Sequence, residues 1–291
     1  MDRRARLLRA LTAAVSLCLT AADLHEAAWV SKGDEKIALA TRPIECLPAS
    51  TDIETEIGRA MFRTPLLLGG QAARVGLACD SCHSNGRTNP YFHFPGVSGA
   101  PGTADVTTSL LSSHRGDGID NPIPIPDLAG PKKHLDELEP FIHGLITEEF
   151  DGAEPPPAVL SGLASYVRAL CPAEGRRPLR LADAAEDVRR TARVALRVQD
   201  KATAIALVGA ARSQLGRIDE RFLGLAADRE KLRQADQGLA DIRDHLRNGS
   251  DPAAEIGDWL AAFNRLTAEL SRDEKQSLYD PARLQAWIDK H

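Results

Sequence analysis

The chain has 291 residues, 43% of them hydrophobic, and a formal net charge of −5 at neutral pH. This length is enough for two domains of modest size, and the composition is that of a globular protein. The weak excess of acidic residues offers neither a basic surface for nucleic acid nor a polybasic face for anionic lipid. The charge balance therefore argues against both kinds of partner.

The first 22 residues have the layout of a secretory signal peptide. Arginines within residues 1–9 precede an apolar run over 10–22, which ends at Asp23. The alternative, an amphipathic first helix of the mature protein, would need a polar face that the run lacks. The run is also much shorter than the ~20 residues that a membrane-spanning helix needs. We therefore expect cleavage after Ala22, a periplasmic location and no membrane span in the mature chain.

The following segments alternate between weak patterns and helical ones. Residues 23–49 have no sustained period, so we predict a leader to the first domain. Thr51 and Glu54 have the spacing of a capping box, which predicts a helix that ends before Pro65. Residues 84–131 are rich in Gly, Pro, Asn, Ser and Thr, which predicts a long functional loop. Two further helices are predicted to close this domain, over residues 135–150 and 157–170.

Beyond residue 175 helical periodicity dominates the sequence. Leu232, Leu239 and Leu246 fall on one face of a helix that should end at Asn248. Asp-Pro pairs at 251–252 and 280–281 predict the starts of two more helices, and one or two others fit between 181 and 225. We predict an antiparallel helical bundle over 176–291, in which the apolar stripes form the core in preference to a docking face for a partner helix.

Cys79, Cys82 and His83 belong to the sequence Cys-Asp-Ser-Cys-His, which has the spacing of a covalent haem attachment site. The two thiols reach the two vinyl groups of one porphyrin edge, and the adjoining imidazole becomes the proximal iron ligand. A thioredoxin-like redox pair would need a strand–helix context, and a zinc site would need a second pair of ligands. We therefore predict one covalently bound haem c, held by these three residues.

The remaining cysteines predict a disulfide. Cys18 leaves with the signal peptide, and Cys46 and Cys171 are then the two thiols without a role. They bracket the predicted haem domain, and the oxidising compartment allows a disulfide to persist. We predict a bond between Cys46 and Cys171.

Short pieces on both sides of the motif share a pattern with known haem proteins. They read Ile-Gly-Arg-Ala-Met-Phe at 57–62, Gly-Leu-Ala at 76–78, Ile-Pro-Asp-Leu-Ala-Gly at 125–130 and Leu-Asp-Glu-Leu at 135–138. Over residues 50–172 the chain resembles the bacterial dihaem cytochrome c peroxidase and methylamine-utilisation haem enzyme superfamily. The resemblance implies a cytochrome c-like haem domain and supports the roles of Cys79, Cys82 and His83. That superfamily uses two haems, whereas this chain has one motif, and the resemblance does not extend to the bundle.

The identity of the sixth iron ligand distinguishes a protein that transfers electrons from one that carries out chemistry at the iron. Met1 and Met61 are the only methionines, both precede the motif, and Met61 fits the core of the first helix. We therefore expect either a histidine ligand or an open position. His93 and His114 lie in the long loop, and His93 is near the place where the resembled superfamily has a distal histidine. For each of these two histidines, an ordinary loop position without iron ligation is an equally good interpretation.

These observations predict a mostly α protein, with a monohaem cytochrome c domain of long irregular loops over 50–172 followed by the bundle. We expect an exported electron carrier or redox subunit with a protein redox partner, and we favour electron transfer over catalysis. One alternative is a peroxidase-like haem enzyme with an open iron position. Another is a haem-linked sensing or partner-binding module, and fold resemblance does not choose among the three.

Overall fold

The computed structural model describes residues 24–107, 110–113, 118–130 and 136–291. The signal peptide predicted at 1–22 lies outside these residues. Helices dominate the described chain, and its four short strands form two antiparallel two-stranded sheets, which confirms the mostly α fold class.

The segment predicted as a leader contributes three short elements. They are a 3-10 helix, His25–Trp29, the helix α1, Glu35–Ala40, and the strand β1, Thr41–Pro43. Strand β1 pairs with β4, Arg176–Pro178, immediately before the bundle. The leader is therefore tied to the start of the bundle.

Helix α2, Ile53–Met61, begins at a cap that differs from the predicted one. The side chain of Asp52 accepts a hydrogen bond from the Thr55 N–H at 2.7 Å. The capping box predicted for Thr51 and Glu54 is therefore wrong. Asp52 directly precedes the helix, and its carboxylate satisfies the free N–H, while the Thr51 hydroxyl donates to Glu56 instead.

The irregular region contains short helices and turns around the motif. In chain order they are the 3-10 helix Pro65–Leu67, α3 (Gly70–Arg74), α4 (Cys79–Cys82), the 3-10 helix Ser84–Gly86, β2 (Thr103–Ala104) and β3 (Ile123–Pro124). Then come α5 (Leu138–Gly144), a π-helical turn (Leu145–Glu149) and α6 (Pro157–Ala169). Helices α2 and α6 cross closely at two glycines. The approach is so close that a Cβ added at Gly58 would lie 1.8 Å from the Gly162 carbonyl oxygen.

Four long helices form the predicted bundle. They are α7 (Leu181–Arg197), α8 (Lys201–Arg221), α9 (Ala226–Arg247) and α10 (Ala253–Asp273), and the short α11 (Pro281–Ile288) follows. Consecutive long helices contact each other, and α10 returns to contact α7, which closes the bundle. Helix α9 ends at Arg247, with Asn248 as its C-cap, and α11 begins after Asp280, both as predicted, whereas α10 begins one residue later than predicted.

Three apolar clusters organise the interior. The largest, which we call the bundle core, contains side chains of α2 and α6 together with those of α7 to α10, so it spans the boundary predicted at 172–176. The motif cluster surrounds the haem motif and consists of Trp29, Leu68, Ala72, Leu77, Phe92, Val97, Leu111 and Ile125. A third cluster joins Leu24 and Leu39 to Leu278 and Leu284. Within the described ranges, none of the helices has both the length and the apolar character needed to cross a membrane.

Candidate functional site

The haem motif forms the single helical turn α4, directly after an extended residue, Ala78. The Ala78 N–H donates to the Ser81 hydroxyl at 3.1 Å, and the His83 N–H donates to the Cys79 carbonyl at 2.8 Å. Residues three positions apart share one face of such a turn. Cys79 and Cys82 are therefore placed side by side, with His83 directly after them.

Both motif cysteines are free thiols that contact the motif cluster. Burial raises the pKa of Cys79 and of Cys82 to about 12, so both side chains are protonated at neutral pH. A thioredoxin-like pair requires the opposite, a nucleophilic thiol with a lowered pKa. The surroundings of these thiols thus suit attachment to an apolar group and not disulfide exchange.

The His83 imidazole is held by one backbone carbonyl. Its Nδ1 lies 3.0 Å from the Pro126 carbonyl oxygen. A carbonyl oxygen can only accept, so Nδ1 carries the proton and Nε2 keeps its lone pair. Burial lowers the pKa of His83 to about 4, so the ring is neutral at neutral pH. A neutral imidazole whose second nitrogen donates to a carbonyl is the usual form of a histidine that ligates a metal.

The carbonyl that holds His83 is itself fixed by contacts from the residues after the motif. The Arg87 guanidinium donates to the Asp127 carboxylate at 2.7 Å, next to Pro126. The Thr88 hydroxyl donates to the Ile125 carbonyl at 2.9 Å, on the other side of Pro126. The loop over 118–130 therefore positions the acceptor for the His83 ring.

Asp80, between the two motif cysteines, has a nearly fully buried carboxylate. Its Oδ2 accepts from the Arg42 guanidinium at 2.6 Å, and its Oδ1 accepts from the Asn85 N–H at 2.8 Å. Burial alone would raise the pKa of Asp80, but the nearby guanidinium groups of Arg42, Arg63 and Arg217 bring it below its ordinary value. Asp80 is therefore ionised inside the motif. The sequence does not reveal the buried position of Asp80, because an aspartate there looks like a solvated side chain.

Asn85 fixes the turn that follows the motif. It has φ of 51°, in the left-handed region that non-glycine residues seldom adopt. Its side chain accepts from Arg63 at 2.8 Å and donates to the Pro43 carbonyl at 2.8 Å. These bonds hold the strained turn and connect it to the leader segment.

Of the two histidines predicted as distal ligands, the structure describes His93. The His93 N–H donates to the Trp29 carbonyl at 3.0 Å, and its neighbour Phe92 is fully buried in the motif cluster. Ligation by the His93 ring stays a prediction. His114 lies outside the described residues. Met61 is buried in the bundle core, as predicted from its helix.

Cys46 and Cys171 form the predicted disulfide, with their Cα atoms 5.1 Å apart. The Cys171 N–H also donates to the Cys46 carbonyl at 3.0 Å. Next to the bond, the Glu45 carboxylate accepts from Arg59, Arg63 and the Tyr166 hydroxyl. The disulfide thus joins the leader to the end of α6 beside a buried polar group.

No protein-family model, curated protein or solved structure matches this chain. Within the part of the chain that the structure describes, no group of three or more His, Cys, Asp or Glu side chains is placed to hold a metal ion. A c-type haem takes a single iron ligand from its attachment motif, so its site is not a cluster of that kind. The case for function therefore depends on the motif and its geometry.

Proposed function

We propose that this chain is an exported monohaem c-type cytochrome that transfers electrons, either as a carrier or as a redox subunit. The hydrogen bond from His83 to the Pro126 carbonyl carries the proposal. It places a neutral imidazole with a free Nε2 next to two free thiols of the correct spacing, which is the donor set that a covalent haem requires.

The chain's own residues have separate tasks in this proposal. Cys79 and Cys82 would attach the haem through thioethers, and His83 would ligate its iron. When bound, the haem supplies reversible one-electron chemistry at its iron. The motif cluster, which includes the buried side chains of Trp29 and Phe92, packs against both cysteines.

We also propose that the iron has no sulfur as its sixth ligand. Met61 faces the bundle core, where it packs among apolar residues of α2 and α6. A histidine would give a low-spin iron of lower potential, suited to electron transfer. His93 is the first candidate and His114 the second. An open position would instead favour the peroxidase-like alternative.

Absorption spectra of the purified protein test the central proposal. The chain is produced in a bacterium with a c-type cytochrome maturation system, and spectra are recorded in both oxidation states. We expect haem bands that change reversibly on reduction, and we expect His83→Ala to lose the wild-type spectrum. His245→Ala is the matched control, because its ring pairs with Glu255 on the bundle surface. Identical spectra for the two variants would contradict the role of His83.

A second pair of variants tests the sixth ligand. We expect His93→Ala to convert the iron from low to high spin, while His143→Ala, whose ring pairs with Glu154, leaves the spectrum unchanged. If His93→Ala has no effect, His114→Ala is the next variant. A wild-type protein that readily binds carbon monoxide would favour the peroxidase-like alternative. A sulfur-to-iron charge-transfer band in the oxidised protein would contradict the absence of a sulfur ligand.

A further inference from the structure

A chain of charges connects the haem motif to the helical bundle. Asp80 has a side chain that is 1% exposed, and its Oδ2 lies 2.6 Å from the Arg42 guanidinium. On the bundle side, the Arg217 guanidinium of α8 lies 3.8 Å from the same oxygen. The bundle therefore places a positive charge next to a carboxylate within the haem motif.

A second arginine of the same helix extends this chain of charges. Arg42 also pairs with Glu26 at 2.6 Å, and Glu26 pairs with Arg221 at 3.1 Å. Arg217 and Arg221 are four positions apart on α8 and hence share one face of the helix. That face of α8 is thus turned toward the haem motif.

The contact lies in a polar but confined space. A cavity of about 40 Å³ lies beside this contact and is lined by Asp80, Arg42 and Arg217 among others. Such a volume is large enough for water, yet the carboxylate itself is almost fully enclosed. Charges in such a place interact more strongly than charges on an open surface.

The sign of the effect on a bound haem follows from electrostatics. The oxidised iron carries one more positive charge than the reduced iron. A nearby carboxylate favours the oxidised state and lowers the reduction potential, and a nearby guanidinium raises it. Asp80 is three residues before His83, so the chain keeps its charge near the residue that would hold the iron.

We propose that the helical bundle raises the reduction potential of the haem through Arg217, which adds to Arg42 in offsetting the negative charge of Asp80 inside the motif. Arg217 is a positioning and charge-balancing residue and does not touch the iron. This inference depends on the proposed function and adds a role for the bundle, whose function the sequence does not predict.

Equilibrium redox titration of the haem-loaded protein tests the inference. We expect Arg217→Gln to lower the midpoint potential and Arg217→Lys to restore it toward the wild-type value. Asp80→Asn should shift the potential in the opposite direction. Arg212→Gln is the matched control, since Arg212 is on the same helix, is 26% exposed against 21% for Arg217, and pairs with Asp236 instead.

The outcomes separate this inference from the proposed function. Equal potentials for Arg217→Gln and Arg212→Gln, in chains that carry haem, would overturn the role of Arg217 alone. A wild-type chain without covalent haem would overturn both proposals. A shift that Arg217→Lys does not restore would also contradict the inference, because a charge effect requires only the charge. Arg217→Met is a second neutral variant, and it should lower the potential as Arg217→Gln does.

Discussion

The helical bundle and the surroundings of the haem motif are stabilised in different ways. The four long bundle helices have 17 to 22 residues each and bury apolar side chains three and four positions apart. Around the motif, α4 has four residues, and hydrogen bonds between distant parts of the chain hold the loops. Apolar stripes along long helices organise the first region, whereas the second combines the motif cluster with polar contacts between distant parts of the chain.

This difference predicts where a substitution should act. Truncation of a core side chain in the bundle should lower stability and leave the haem spectrum unchanged. Alteration of a polar contact near the motif should change the spectrum of the proposed haem.

Loss of the disulfide should destabilise the protein most. The bond closes a loop with a sequence separation of 125. For such a loop the chain-entropy model gives a stabilisation of the folded state of about 5 kcal/mol. Urea unfolding of oxidised wild type and of the double variant Cys46→Ser/Cys171→Ser measures the difference. Reduced wild type is the control and should unfold like the variant. A difference below about 1 kcal/mol would show that the leader is held by its other contacts.

Truncation in the bundle core should have the next largest effect. Leu207 is fully buried, and Leu207→Ala should lower the free energy of unfolding by about 4 kcal/mol through lost burial and a residual cavity. Leu196→Ala, at a side chain 38% exposed, is the control and should cost far less. The haem spectrum of the folded fraction should stay unchanged in both. A changed spectrum in Leu207→Ala would break the contrast between the two regions.

Acid should weaken the link between the leader and the bundle through Glu26. Burial would raise the pKa of Glu26, but Arg42 and Arg221 outweigh it and lower the pKa from 4.5 to about 2. The folded pKa is below the unfolded one, so this stability is present above pH 4.5 and is lost as the pH falls toward 2. The loss amounts to about 3 kcal/mol. Urea unfolding across this range should show a smaller loss for Glu26→Gln, and equal losses would contradict the assignment.

Backbone strain at Asn85 should give the smallest effect. Asn85 has a left-handed backbone conformation. Glycine adopts this conformation without strain, whereas alanine is strained in it. Both variants lose the side-chain hydrogen bonds, so Asn85→Ala should be about 1 kcal/mol less stable than Asn85→Gly. Thermal unfolding of the two variants measures the difference. Equal stability would mean that the turn relaxes once the side chain is removed.

The regular parts of this molecule were predictable from local patterns. Periodicity located the bundle helices, and Asp280 marked the start of α11, because a short polar side chain before proline caps a helix. The pairing of Cys46 with Cys171 followed from counting thiols. In each case the signal lies within a few neighbouring residues or in the number and positions of the cysteines.

The polar contacts of the site were not predictable in this way. Arg42 and Asp80 are 38 positions apart, and His83 and Pro126 are 43 positions apart. Contacts over such separations leave no periodic pattern. Arg42 also belongs to a segment that looked like an unpatterned leader. The cap of α2 shows the same limit at short range, since Thr51 and Asp52 both suit that role and the chain uses Asp52.

The mass of the intact protein, purified from the periplasm of a host that matures c-type cytochromes, tests the central claim most directly. We predict a chain that lacks residues 1–22 and is heavier by one haem, with the additional mass absent when Cys79 and Cys82 are both replaced by alanine. A chain without covalent haem, or one with a disulfide between Cys79 and Cys82, would contradict the claim.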